Sequence, residues 1–293
     1  MRTLLPVRPP YRLDLTVDAL RRVRNNVVDV VAPGGRYVRA LSHAGEIHIV
    51  EVVQVSGDAL DVTITGPAAE SQIPVIARML GTQIDLRDWN RRVRAFPWLA
   101  HLAKRLRGLN PPRYPELWEA LCHGIVFQQL SITAAASIMQ RFVQRFSKPI
   151  GHVAFPLYPF PRPEAIAAAS STSLRSIGLS KMKATYLGDA AREILAGRID
   201  LGAIGALSGD EASVALQKIR GIGKWSAANI LLRGFGRLDV FPPADSGAAR
   251  TIRRLASDPD VNLATVLAQL GDVRGMLYFH LLLGTVHGVI FER

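Results

Sequence analysis

The sequence contains a single cysteine, Cys122, among its 293 residues. One cysteine cannot form a disulfide within the chain, which is typical of a protein of the reducing cytosol, so we expect a cytoplasmic protein. The same count excludes an iron–sulfur cluster held by the chain's own cysteines, because such a cluster takes about four thiolate ligands.

The sequence also lacks a long apolar run. No stretch approaches the ~20 residues that span a bilayer, and the apolar segment at the N-terminus is too short for a secretion signal. With 48% hydrophobic and 20% charged residues, the composition predicts a soluble globular protein that is long enough for two domains with their own cores.

Several signatures of common enzyme classes are missing. The sequence has no HExxH, GxSxG, P-loop or EF-hand motif. Gly221-Ile-Gly-Lys-Trp-Ser226 comes near the dinucleotide-binding GxGxxG, but Ser226 replaces the third glycine and a predicted helix precedes the motif. Because that fingerprint follows a strand, a nicotinamide or flavin dinucleotide site is excluded.

What the sequence does have is positive charge. The formal net charge is +12, and residues 87–113 hold eight lysines and arginines against one acid, Asp88. Residues 214–254 hold another eight against Asp239 and Asp245. Such clusters favour a polyanionic partner such as nucleic acid, and no basic amphipathic helix with an aromatic face favours a membrane surface instead.

The hydrophobic pattern changes along the chain. Strands are predicted over 11–17, 26–31, 37–41, 46–55 and 58–64, with one helix between the first two and another at about 70–80. Helices are then predicted over 116–127, 133–146, 163–170, 172–177, 181–196 and 273–283, and from Ser246 and Asn262. This order predicts an α+β fold, in which a small antiparallel sheet domain (1–90) precedes a helical domain (91–293).

The stretch from Leu216 to Asp245 concentrates the unusual features. Two glycines, Gly221 and Gly223, interrupt an amphipathic helix and let the backbone turn sharply. The helix that restarts at Lys224 directs free N–H groups outwards beside Lys218 and Arg220, an arrangement suited to a phosphate. An ordinary basic αα-hairpin is the alternative interpretation.

Asp245 follows two prolines and precedes a predicted helix. An aspartate in this setting is commonly an N-cap, and the helix dipole favours its ionised form. A fixed carboxylate about twenty residues after a phosphate-binding turn suggests chemistry on a nucleotide.

These residues resemble a known family. The run LQKIRGIGKWSA followed by DVFPPAD is similar to the helix-hairpin-helix and Gly/Pro-Asp motif of base-excision DNA glycosylases, especially the 3-methyladenine DNA glycosylase II (AlkA) type. Supporting matches are Ile125 to Ser131 and Gly178-Leu179-Ser180 with Lys181 and Lys183. The resemblance covers roughly residues 10 to 285 and implies a small β-rich domain packed against a helical glycosylase domain.

The resemblance implies roles for individual residues. Asp245 would be the catalytic carboxylate, which stabilises an oxocarbenium-like sugar and orients water. The base pocket would include Trp225, whose ring suits a cationic alkylated base, together with Asn229 and Ser246. Relatives tend to carry aromatics at these last two positions and at Val273, so we expect a wider or more polar pocket.

Further residues would contact DNA. The resemblance places Gln128 and Gln129 in the loop that enters the minor groove, although related enzymes often use an apolar side chain at the position of Gln129. Arg220, Gly221, Gly223 and Lys224 would bind the backbone. The hairpin would also hold Na⁺ or K⁺ through the carbonyls of Gln217, Ile219 and Ile222. No organic cofactor and no catalytic metal are expected.

Relatives that also cut the strand use a lysine at the position of Trp225 as a Schiff-base nucleophile. The sequence therefore predicts a monofunctional enzyme, a monomer associated with the nucleoid, that excises alkylated purines such as 3-methyladenine and 7-methylguanine from duplex DNA. The alternatives are a glycosylase for hypoxanthine, uracil or oxidised bases, and a non-catalytic helix-hairpin-helix DNA-binding protein.

Overall fold

A computed structural model of the chain describes residues 1–23, 26–43, 45–151 and 155–288. The N-terminal part forms one antiparallel sheet of five strands in the order β1-β5-β4-β3-β2. The strands are β1 (Arg2–Pro6), β2 (Val30–Val31), β3 (Tyr37–His43), β4 (Glu46–Gln54) and β5 (Ala59–Thr65).

One face of this sheet is the core face. In β4 and β5 every second side chain is buried, and Val50 and Val52 lie opposite Ile64 and Val62. The structure confirms the strands predicted at β3, β4 and β5, and β4 and β5 have the alternation expected of a strand with one buried face.

The first two predicted strands are wrong. Residues 11–17 were expected to be a strand, but the structure has helix α1 (Leu13–Arg21) there. Leu13 and Val17 pack in one hydrophobic cluster and Leu15 in another, so the helix is buried on two sides. Its apolar residues therefore occur at every second position, as they would in a strand. Of the strand predicted over 26–31 only Val30 and Val31 pair, because the Asn26 side chain caps the amides of the next turn.

Most of the described residues after β5 are helical. A 3₁₀ turn (Ala69–Gln72) precedes the helices, which are α2 (Ile73–Met79), α3 (Arg87–Arg92), α4 (Pro97–Arg105), α5 (Leu117–Val126), α6 (Ile132–Phe146), α7 (Pro163–Ala167), α8 (Ser171–Ser176), α9 (Lys181–Leu195), α10 (Leu201–Gly205), α11 (Gly209–Gln217), α12 (Lys224–Ile230), α13 (Ser246–Ala256), α14 (Leu263–Leu270) and α15 (Gly275–Val286). A π-helical turn, Leu231–Phe235, continues α12.

Capping side chains define many helix starts. Ser131, Ser180, Ser208 and Asn262 each accept a hydrogen bond from a backbone amide in the first turn of the following helix. Strand β1 was not predicted, but the helices of the C-terminal two thirds lie close to their predicted ranges. The α+β fold class is therefore confirmed.

The sheet packs directly on the helical part. One hydrophobic cluster contains Val50 and Val62 of the sheet together with Leu121 of α5 and Leu187 of α9. A second cluster joins Trp89 of α3 to the C-terminal helices. The two-domain division after residue 90 stays a prediction. Within the described residues, no helix is both long enough and apolar enough to cross a membrane.

Candidate active site

The hairpin between α11 and α12 is tight because of one glycine. Gly221 has a φ of 90°, and a Cβ at this position would lie 2.3 Å from Cδ2 of Tyr186 on α9. Only glycine fits both the left-handed backbone and the aromatic ring beneath it. Gly223, by contrast, has a φ of −94°, and no atom lies within 4 Å of the position that a Cβ would occupy.

The outer surface of the hairpin is open and positively charged. Lys218, Arg220, Gly223 and Lys224 lie on this surface, and all four are exposed. Arg220 is partly held in place, since its guanidinium lies 3.2 Å from Asp189 and 5.8 Å from the centre of the Tyr186 ring. The predicted phosphate-binding residues therefore lie together on one accessible face.

The carbonyl groups predicted to hold a monovalent cation belong to the same turn. Ile219 O accepts a hydrogen bond from Ile222 N at 3.0 Å, which leaves the oxygen one further lone pair. The carbonyls of Gln217 and Ile222 flank it in sequence. Among the described residues, no group of three or more His, Cys, Asp or Glu side chains could hold a metal.

Asp245 is fixed by both carboxylate oxygens. Oδ1 accepts a hydrogen bond from Ala248 N at 2.9 Å, so Asp245 is the N-cap of α13. Oδ2 accepts a hydrogen bond from Trp225 Nε1 at 3.2 Å. The preceding residue, Ala244, has a φ of 52°, a left-handed conformation that turns the chain sharply into the helix.

Asp245 and Trp225 line a cavity of about 780 Å³ between the hairpin, the loop after α5 and the C-terminal helices. Of the predicted pocket residues, Ser246 also lines the cavity. Asn229 does not line it: its side chain is buried on α12, and its Nδ2 has no hydrogen-bond partner among the described residues.

The cavity is richer in aromatic side chains than the sequence predicted. Phe127, Phe241 and Tyr278 line it together with Trp225. The expectation of a wider or more polar pocket than in relatives stays a prediction. It considered only Asn229, Ser246 and Val273, whereas the rings come from the end of α5, the extended turn before Asp245, and α15.

The loop after α5 divides into an inward and an outward part. Gln128 points inwards, since its Nε2 donates to Gly221 O at 2.7 Å and to Ser226 Oγ at 2.8 Å. Gln129 is exposed in a left-handed conformation with a φ of 54°. It lines the cavity entrance with Leu130, which is 39% exposed. Gln128 thus connects this loop to the hairpin.

Lys183 holds the same loop from behind. Its Nζ donates to Val126 O at 2.9 Å and to Gln128 O at 2.7 Å, and burial lowers its pKa. These contacts satisfy carbonyls at the C-terminal end of α5 that the helix itself leaves unpaired. From the sequence, Lys183 was only a supporting match to the family and had no assigned role.

Sequence reasoning missed Arg22 entirely. This residue follows α1, about two hundred positions before Trp225, yet it lines the same cavity and is only 4% exposed. Nothing local in the sequence distinguishes it from the neighbouring arginines.

Comparison with known proteins is consistent with this geometry. The family model of the HhH-GPD superfamily base excision DNA repair protein matches residues 122–270, a range that contains Gln128, the hairpin and Asp245. The chain is 28% identical over 239 residues to a DNA-3-methyladenine glycosylase of Bacillus subtilis, covering 81% of this chain and 78% of that protein.

Two further proteins are similar over most of their length. DNA-3-methyladenine glycosylase 2 of Escherichia coli is 26% identical over 244 residues, which are 81% of this chain and 82% of that one. The solved structure of a 3-methyladenine DNA glycosylase from Archaeoglobus fulgidus superposes with a TM-score of 0.83 and 24% identity, covering 96% of this chain and 98% of that chain. The fold is therefore shared.

Proposed function

The chain belongs to the HhH-GPD superfamily of base excision DNA repair proteins, and we propose that this DNA glycosylase hydrolyses the N-glycosidic bond of alkylated purines in duplex DNA. The observation that carries the proposal is Asp245, a carboxylate held by two hydrogen bonds at the edge of a cavity lined by four aromatic residues. The names of the similar bacterial proteins point to the same class of substrate.

The chemistry proposed for Asp245 is electrostatic. Loss of the base leaves positive charge on the deoxyribose, and a fixed carboxylate stabilises that charge without having to reorganise. Each carboxylate oxygen offers about two lone-pair sites, so Asp245 can also accept a hydrogen bond from the attacking water and orient it. A purine alkylated on the ring is already a good leaving group and needs little acid catalysis.

Because an enzyme cannot reach the glycosidic bond inside a stacked duplex, we propose that the damaged nucleotide is flipped into the cavity. A volume of about 780 Å³ lies within the range of roughly 300–1,000 Å³ that is usual for small-molecule sites. Trp225, Phe127, Phe241 and Tyr278 offer ring faces and edges against which a planar base can stack.

The proposed reaction stops at an abasic site. Strand cleavage through a Schiff base requires an amine beside the sugar, and none of the described residues that line the cavity is a lysine. Lys224, next to Trp225, is exposed on the outside of the hairpin. The Lys183 amine donates hydrogen bonds to two backbone carbonyls.

DNA binding is proposed for the face that carries the hairpin and the loop after α5. The open backbone around Gly223 with Lys218, Arg220 and Lys224 would bind phosphates. Gln129 and Leu130, exposed at the cavity entrance, would fill the space that the flipped base leaves. Gln128 would support this loop from inside and not contact DNA itself, since its amide nitrogen already bonds Gly221 and Ser226.

A monovalent cation at the hairpin is part of the proposal. The carbonyls of Gln217, Ile219 and Ile222 fit Na⁺ or K⁺ because hard cations prefer neutral or anionic oxygen ligands. Bound there, the cation would place positive charge next to the phosphate-binding turn.

Asp245→Asn is the decisive variant. Asparagine also caps helices well, so the fold should be kept while the negative charge is lost. We expect single-turnover release of 3-methyladenine and 7-methylguanine to fall by about 100-fold or more, with DNA affinity unchanged. Asp239→Asn, which removes a charge from the same extended segment outside the cavity, should leave release unchanged.

The same assay separates the alternatives. Duplexes with hypoxanthine, uracil or 8-oxoguanine should be included, and base release should be scored separately from strand cleavage with and without alkali. If wild-type protein binds DNA but releases no base, the chain is a non-catalytic binder. Strand cleavage without alkali would refute the monofunctional mechanism.

A further inference from the structure

The wall of the cavity includes a buried cation that the chemistry above does not use. Arg22 is 4% exposed and lines the cavity together with Asp245 and Trp225. Its backbone is held in a left-handed conformation with a φ of 62°, and its amide donates to Asp18 O at the end of α1. The fold therefore fixes the position of this side chain.

The contacts of the guanidinium leave donor capacity free. Nη2 donates to the Tyr278 hydroxyl at 3.0 Å, and the central carbon lies 4.2 Å from the centre of the Phe127 ring. Nε is buried and has no hydrogen-bond partner among the described residues. No ion pair joins Arg22 to a carboxylate in the described part of the chain. A buried charge without a counter-charge is costly, and such groups are concentrated at functional sites.

A second arginine strengthens the positive potential. Arg233 is fully buried, and its Nη2 donates to the carbonyls of Ala19 and Leu20. Burial lowers the pKa of Arg22, and the charge of Arg233 lowers it further. Burial alone would raise the pKa of Tyr278, but the two guanidinium groups outweigh it, so that pKa lies below its ordinary value.

The guanidinium can only donate hydrogen bonds. An arginine has five N–H donors and no acceptor, so a base edge must offer an acceptor in order to pair with it. At the 6-position, purines with a carbonyl present such an acceptor, whereas purines with an amino group present a donor there and have acceptors only at ring nitrogens. The sugar stays at Asp245, so the flipped base can turn only its far edge towards the other walls of the cavity.

We propose that Arg22 is a specificity-determining residue that donates a hydrogen bond to the carbonyl of the flipped base, so that the cavity favours 6-carbonyl purines over 6-amino purines. Within the alkylated class this selects 7-methylguanine, and it extends the substrate range to hypoxanthine, which is neutral and carries the same carbonyl. The inference rests on the proposed glycosylase function and concerns which bases that activity removes.

The test compares, for each base, its release by a variant with its release by the wild-type protein. Single-turnover release is measured for 7-methylguanine and hypoxanthine, which carry the carbonyl, and for 3-methyladenine and 7-methyladenine, which carry the amine. For each base, the ratio of the release rate of the variant to that of the wild type cancels the different intrinsic lability of the four glycosidic bonds. For Arg22→Met we expect release of the two carbonyl bases to fall by about 10- to 100-fold and release of the amine bases to be retained.

Two further variants make the result decisive. Arg22→Lys keeps a cationic donor and should restore part of the preference even if Arg22→Met is poorly folded, which a thermal melt reports. Arg250→Met removes a charge from an exposed residue of the same cavity and should affect all four bases alike.

The outcomes are distinguishable. Equal losses for all four bases in both Arg22 variants would overturn the inference and make Arg22 a structural residue, with the glycosylase function intact. No release of any base by wild-type protein would overturn the proposed function and the inference with it.

Discussion

At the scale of single residues, the site depends on side chains that are each held by a second one. Asp245 caps α13 through one carboxylate oxygen and accepts the indole N–H of Trp225 with the other. Trp225 consequently serves the site in two ways, with its ring as a wall of the cavity and with its nitrogen as a positioning group for the carboxylate.

Substitution of Trp225 separates these two roles. Trp225→Phe keeps an aromatic wall but removes the donor to Asp245, and hydrogen bonds to charged groups contribute about 1.5–3 kcal/mol. We expect single-turnover base release to fall by roughly 10-fold or more. Trp225→Leu should lower the rate of base release further, because this variant also lacks the aromatic stacking surface.

A thermal melt is the control for these two variants, because both should remain folded with a half-buried side chain replaced. If Trp225→Phe released bases as fast as the wild type while Trp225→Leu did not, the ring alone would matter. The hydrogen bond to Asp245 would then have no part in positioning the carboxylate.

The sequence predicted the residues whose function is indicated by a motif in the adjacent sequence. Asp245 and Trp225 were predicted to meet, and they do, because a glycine turn and a proline-rich segment fix the path between them. Arg22 and Tyr278 were not predicted. They reach the cavity only through the packing of α1 against α15, and their sequence neighbours carry no pattern that distinguishes them.

At the scale of elements, the hairpin depends on two glycines with different functions. Gly221 requires a left-handed backbone and contact with Tyr186, whereas Gly223 lies in open space. Gly221→Ala should therefore lower the free energy of unfolding by about 1 kcal/mol or more and weaken DNA binding because the turn is distorted. Chemical denaturation and a binding titration would measure the two effects.

Gly223→Ala is the matched control in the same turn. A methyl group there meets no protein atom within 4 Å, so stability should be unchanged, while affinity for duplex DNA should fall if phosphates approach this backbone. If both variants had the same stability, the contact between Gly221 and Tyr186 would not be what shapes the hairpin.

Strands β4 and β5, each with one buried face, lie close to their predicted positions. Strand β3 and the helices after residue 116 do so as well, although β3 and α5 are buried on both sides. Helix α1 was taken for a strand because both of its sides are buried, a situation in which periodicity no longer separates helix from strand. Strand β1 was missed because it is recognised by its pairing with β5, a long-range contact.

At the scale of the whole molecule, the positive side chains differ in how far nearby carboxylates neutralise them. The basic stretch near residue 90 is partly neutralised locally, since Arg87 pairs with Asp85, and Arg91 and Arg92 pair with Asp88. The exposed cations of the hairpin therefore make a larger contribution to the accessible positive surface than the count of residues alone predicts.

The sheet and the helices are joined by a buried ionic network. Arg39 of β3 pairs with both Asp29 and Glu119, and Glu119 lies on α5. Tyr37 donates to Asp29 at 2.7 Å. All four side chains are buried, so one guanidinium holds the sheet to the helix whose C-terminal end precedes the loop with Gln128 and Gln129.

This network should make stability depend on pH. Burial, which outweighs the attraction of Arg39, raises the pKa of Glu119 from 4.5 to about 8. Between these two values the folded protein holds a proton that the unfolded chain releases, so the free energy of unfolding falls as pH rises. The contribution of Glu119 is therefore complete below about pH 4.5 and is lost as the pH passes through 8.

Glu119→Gln tests this dependence, because glutamine cannot release a proton and the variant should lose stability less steeply between pH 5 and 8. Urea unfolding at several pH values would measure the slope, with Glu164→Gln, an exposed carboxylate on α7, as the control that keeps the wild-type slope. An unchanged slope in Glu119→Gln would show that Glu119 is ionised in the folded protein and that Arg39 balances both carboxylates at once.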